Sequence, residues 1–124
     1  MGRNYFGDID GRFWFAVQNS DAADRFGVTG VEPSELYYYF DRDNLYDVEA
    51  ELKVIRKQLG TYRTKMNKFF KSTQWYSDAD LVKYLALPEA KVKTLLSAYA
   101  DYDLGMKIRK CILVNGCCEF TAEL

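Results

Sequence analysis

Apolar residues recur through the middle of the chain with a spacing that marks one element above the others. Leu45, Val48, Leu52, Ile55, Leu59, Tyr62, Met66 and Phe69 stand 3, 4, 3, 4, 3, 4 and 3 positions apart. This is the a/d seam of a heptad repeat, and it predicts a helix ending near Lys71. Asn44, with Asp47 three positions on, supplies the N-terminal signal. A stripe held close to 3.5 residues argues for self-association along this helix, because an ordinary surface helix drifts at about 3.6. Packing on the chain's own sheet is the alternative. Gly60 weakens the middle of the helix.

Around it the pattern is shorter in range. Asn4 to Gln18 reads as a hairpin about Asp10-Gly11, a dipeptide favoured in a type I′ turn. That turn would set Ile9 opposite Arg12, Asp8 opposite Phe13, Gly7 opposite Trp14 and Phe6 opposite Phe15. Phe6, Phe13, Phe15 and Val17 would then share one face, and Tyr5, Arg12 and Trp14 the other. Ser20 to Asp24 has the residues of a helix start, with Gly27 as its stop. Leu36 to Asp41, rich in aromatics, is a third strand. Ser77 caps a helix to about Ala86, and Pro88 opens another that runs to about Tyr102 before Gly105. Met106 to Val114 and Cys117 to Thr121 read as a closing hairpin about Asn115-Gly116. The sum is five short strands and three or four helices. This is an α+β fold in which an antiparallel sheet of short hairpins accompanies one long heptad-patterned helix and a helical hairpin, as a single domain over residues 1–124.

Composition narrows the function. The chain has 124 residues, 48% of them hydrophobic and 16% aromatic, which is ample for one core. Its net charge of −1 gives no global pull on nucleic acid or an anionic membrane. No run approaches a membrane span, and the first residues lack a signal peptide's apolar stretch. Cys111, Cys117 and Cys118 read as reduced thiols filling a core, and the chain has no histidine, so neither a metal site nor a cofactor is expected. The missing histidine also removes the commonest general base and the Ser-His and Cys-His nucleophile pairs. With no Gly-rich phosphate loop or nucleophile elbow either, the chain reads as a binding protein rather than an enzyme.

Charge distribution supplies the candidates. Lys53, Arg56, Lys57, Arg63, Lys65, Lys68 and Lys71 follow one another with no acid between them. Complementing the dipole of one long helix explains most of these lysines. Arg56 and Arg63 differ, since both fall beside the seam, where a planar guanidinium can be held to grip phosphate; solvation or interhelical ion pairing is the alternative. Trp14, flanked by Phe13 and Phe15, could stack on a base or pack on another subunit. Strand alternation would send Arg109 to the face of Cys111 and Leu113, where it needs an anionic partner, internal or bound. Residues 80–102 have the rhythm of a helix-turn-helix. Their second helix offers only Lys91 and Lys93 early and no base-reading Arg, Asn or Gln, which fits a structural hairpin better.

The segment Tyr5-Phe6-Gly7-Asp8-Ile9-Asp10-Gly11-Arg12-Phe13-Trp14-Phe15-Ala16-Val17-Gln18, followed by Ser20-Asp21-Ala22-Ala23-Asp24-Arg25-Phe26-Gly27, resembles the N-terminal pattern of the first type of Thoeris anti-defence protein. That family consists of phage sponges that sequester cyclic ADP-ribose isomers made by bacterial TIR-domain immune enzymes. The resemblance implies a homo-oligomer, at least a dimer, that binds such a nucleotide uncleaved in the cytoplasm of an infected bacterium. Phe13, Trp14, Arg56, Arg63 and Arg109 are the candidate ligand-binding residues, aromatics for the adenine and arginines for the phosphates. No membrane partner is expected, and duplex DNA is disfavoured. A dimeric phage DNA-binding regulator using residues 80–102 is the competing expectation, and a partner module with no small ligand is a third.

Overall fold

The structure, a computed structural model, describes residues 3–14, 17–30, 35–72 and 78–123. In order these form β1 (Asn4–Gly7), β2 (Gly11–Arg12), a 3-10 turn (Ala22–Phe26), β3 (Glu35–Asp41), a second 3-10 turn (Arg42–Asn44), α1 (Leu45–Leu59), α2 (Tyr62–Ser72), α3 (Asp78–Leu85), α4 (Glu89–Asn115) and β4 (Cys117–Glu123). The fold is α+β, an antiparallel sheet of order β2-β1-β4-β3 with four helices, one of them 27 residues long.

β4 lies at the centre of the sheet. It pairs Phe120 with Gly7 on one side and with Tyr38 on the other. Strand alternation then buries Tyr5, Leu36, Tyr38, Phe40, Cys118, Phe120 and Ala122 on one face. The Tyr38, Phe40 and Phe120 rings stack there with centroids 5.1–6.2 Å apart. Phe6, Tyr37 and Tyr39 stand exposed on the other face. α4 packs on the inner face of the sheet and α1 packs on α4, so α4 is covered along much of its length.

The heptad seam contributes to this core. Val48, Leu52, Ile55 and Leu59 on α1, and Met66 and Phe69 on α2, are all buried within the chain. The seam is therefore internal packing and not a free surface for a second copy. Nor is the helix continuous. Gly60 adopts φ 55°, ψ −134°, the dihedrals of the first central residue of a type II′ turn, which side chains with a Cβ avoid. The start also differs from expectation. Asn44 accepts from the Asp41 amide at 2.9 Å while Asp41 accepts from the Asp43 amide at 2.9 Å, forming a capping box on the 3-10 turn that leads into α1.

Two further expectations are corrected. β1 and β2 pair Asn4 with Arg12 and Tyr5 with Gly11, so Asp10-Gly11 is no two-residue turn. Phe6 to Asp10 separate the paired positions instead, with Phe6 exposed and Tyr5 buried. Phe15 lies outside the described residues, as does Ser77. The larger correction concerns Met106–Val114, which is helical. Leu104, Gly105, Ile108, Cys111 and Ile112 are buried at helical spacing and continue the stripe of Val92, Leu95, Leu96 and Ala100. Gly116, at φ 85°, ends α4 by donating its amide to the Ile112 carbonyl at 2.8 Å. Asn115-Gly116 is thus a helix stop and not a hairpin turn. The short helix before Gly27 is a 3-10 turn, with Gly27 in the left-handed cap expected of it. Among the described residues no helix is long and apolar enough to cross a membrane.

Candidate functional site

Arg56 stands near the C-terminal end of α1 and Arg63 near the start of α2, so the Gly60 turn separates them. Both reach the same residue of α4. Their guanidinium carbons lie 5.8 and 5.9 Å from the centroid of the Tyr102 ring, and Arg63 Nη1 donates to the Tyr102 hydroxyl at 3.2 Å. Burial opposes ionisation of this phenol, yet the hydrogen bonds and charges of Arg56 and Arg63 outweigh it and lower its pKa below the usual tyrosine value. Among the described residues neither arginine has a carboxylate partner within ion-pair distance.

Arg25 shows what a structural arginine looks like in the same molecule. Its Nη1 lies 2.6 Å from Asp101 Oδ2 and its Nε 3.3 Å from Glu51 Oε2. Gln18, buried, donates to the other Asp101 oxygen at 3.0 Å. That guanidinium is neutralised internally. The charges of Arg56 and Arg63 remain available to an anion from solvent.

Arg109 falls on α4 two turns beyond Tyr102, on the same side of the helix. It pairs with Glu49 at 3.4 Å, both side chains being partly exposed. With Arg56, Lys53, Tyr46 and Ala50 the pair lines an open cleft of about 600 Å³. Three of the sequence candidates, Arg56, Arg63 and Arg109, thus meet along one side of the α1–α4 contact, with Arg109 already holding an anion.

No family model, curated protein or solved structure matches this chain.

The aromatic candidates separate. Phe13 is 1% exposed, packed on Tyr5 at 5.1 Å and under Arg3 at 5.6 Å, so no ring face is left for a ligand to stack on. Trp14 is half-buried and meets Phe70 and Tyr99 edge-on at 5.3 and 5.9 Å. Tyr99 lies one helical turn before Tyr102 and donates to Asn67 of α2 at 2.6 Å. Trp14 therefore reaches the arginine pair only through Tyr99.

Tyr102 is the residue that sequence reasoning missed. The sequence predicts it as the end of a helix, and only a helix continuing past Gly105 puts it on one side with Arg109. The cysteines behave as packing residues: Cys111 and Cys118 are buried, Cys117 is half-buried, and burial raises the Cys118 pKa. Over residues 80–102, α3 and α4 are joined through Ala86 at φ 56°. Lys93 lies 3.9 Å from Glu89 and Lys91 is exposed.

Proposed function

We propose that this protein binds and sequesters a phosphate-bearing nucleotide at the surface formed by Arg56, Arg63 and Tyr102, and releases it unchanged. The observation that carries the reading is the convergence of two guanidiniums, free of carboxylates, on one half-buried phenol. Such a pair can hold a pyrophosphate through charge-assisted hydrogen bonds. The resemblance carried by residues 5–27 makes a cyclic ADP-ribose isomer the ligand to try first. In this assignment Tyr102 holds the two guanidiniums in place, Trp14 is the remaining aromatic, and Arg109 acts at the far end of the cleft by exchanging Glu49 for phosphate. A homo-oligomer remains part of the proposal, through surfaces other than the heptad seam, and native mass spectrometry would give its copy number.

The test is retention followed by release. Purified protein is mixed with cyclic ADP-ribose isomers, freed of unbound ligand and heat-denatured, and the released compound is identified by mass spectrometry. The expected result is an intact isomer, lost when Arg56 and Arg63 are both changed to Ala. A cleaved product would overturn the sponge reading in favour of an enzyme. Retention of nothing would remove the ligand class and make duplex DNA, engaged by residues 80–102, the next candidate.

A further inference from the structure

The break at Gly60 changes what the basic residues around it mean. In one continuous helix the cations from Lys53 to Lys71 would lie toward a C-terminus, where the helix dipole favours them. In the structure α2 is a separate helix with Arg63 and Lys65 in its first turns and no acid there. At that end the dipole disfavours positive charge, so helix electrostatics does not account for Arg63 and Lys65, whereas it does favour Lys57 and Lys71 in the last turns of α1 and α2. No acid occurs in the sequence from Leu52 to Ser77, although the whole chain carries −1.

The solvent face of α2 is correspondingly uniform. Thr64, Lys65, Lys68 and Lys71 are all exposed and fall within one arc of the helix, while Met66 and Phe69 face the core. Lys57, also exposed, stands in the last turn of α1. Among the described residues none of these lysines is in an ion pair. The far edge of α2 meets the half-buried rings of Trp14 and Tyr99.

We infer that the lysine face of α2 tracks the backbone of a single-stranded nucleic acid, whose unstacked bases lie against the neighbouring aromatic rings. Charge complementarity identifies a polyanion, since unpaired lysines spaced along a helix match phosphates spaced along a strand. The rings favour a single strand over a duplex, because a duplex keeps its bases stacked on one another. This surface adjoins the Arg56, Arg63 and Tyr102 cluster, but its lysines take no part in the small-ligand reading.

Fluorescence anisotropy with a labelled oligothymidylate of about 12 nucleotides tests it. Binding should weaken as salt rises from about 50 to 200 mM. Changing Lys65, Lys68 and Lys71 together to Gln should weaken it by about tenfold or more and reduce the steepness of the log-log salt plot by about two. The same three positions changed to Arg should retain binding. The Gln variant should melt as the parent does and still capture the small ligand, whereas the Arg56→Ala, Arg63→Ala variant should keep most oligonucleotide binding. No binding at low salt, or a salt plot unchanged by the Gln substitutions, would overturn the inference. So would tighter binding to phosphatidylserine vesicles or equal binding to the matching duplex.

Discussion

The α1–α2 region and α4 each contain a glycine in a stretch of helix-forming sequence, and the two glycines do opposite things. Gly60 has open space around it, with only the Lys57 carbonyl at 4.0 Å from where a Cβ would be, and its positive φ turns the chain. Gly105 keeps helical geometry, and a Cβ there would fall 2.5 Å from Phe26 Cε1 and 2.8 Å from Leu52 Cδ2. One glycine is required by the backbone and the other by its neighbours. The hydrophobic pattern around each could suggest continuity or a stop, but only the third dimension tells which reason applies.

Substitutions can break this contrast. The largest effect is expected for Gly105→Val, which forces added carbons against the fully buried Phe26 ring; a loss of about 3 kcal/mol should appear in urea denaturation. Should stability be unchanged, α4 does not pack on Phe26 as described. Gly60→Ala places a Cβ on a turn conformation that disfavours it and should cost about 1–2 kcal/mol. A gain in stability and helicity would instead mean that α1 and α2 can fuse. That result would also restore the dipole explanation for the α2 cations.

A smaller effect separates the two arginine classes. Tyr102 is the one phenol among the described residues whose pKa is lowered, whereas burial chiefly raises those of Tyr5, Tyr38 and Tyr99. Ultraviolet titration should show one tyrosine ionising early, and Arg56→Ala with Arg63→Ala should move it upward. Phosphate binding at the pair should do the same, by neutralising the guanidiniums. The sign for stability follows from a folded pKa below the unfolded one. The contribution is fully present above about pH 10, the unfolded tyrosine value, and is lost as pH falls through the folded pKa. That pH-dependent part is therefore absent at neutral pH, where the variant loses only the Arg63 hydrogen bond and the two ring contacts. The smallest effect belongs to Arg109→Ala, which removes a partly exposed ion pair with Glu49 and should change stability by less than about 1 kcal/mol. A much larger loss would place Arg109 with Arg25 as a structural residue.

Legibility in the sequence followed how far each feature reached. The α+β class, the third strand and the helical seam were readable because each rests on periodicity within a few turns. Whether Val48 to Phe69 faced a second copy or the chain's own core was not, since either partner wants the same apolar stripe. The first hairpin's register was not legible, because the face that β1 buries is set by its place beside β4, more than a hundred positions away. Gly105 and Asn115-Gly116 both look like local punctuation, and taking them so turned a third of α4 into a strand. Arg56 and Arg63 were legible from their place beside the seam and Arg109 from its residue type, but the Tyr102 ring that unites two of them required the true length of α4.

The central position of β4 also governs the order in which the molecule can be built. β1 and β3 both take β4 as a principal partner, so neither is fully paired until residues 117–123 have left the ribosome. At about 5–20 residues per second that leaves β3 waiting for several seconds after its own synthesis. Its Tyr37 to Phe40 segment is aromatic and uncharged, the composition most prone to join a strand of another chain. α1 and α2 need no such distant partner to become helical. The nascent protein should therefore form its helices early and close its sheet in one late step, with the interval before that step as its period of greatest exposure to aggregation.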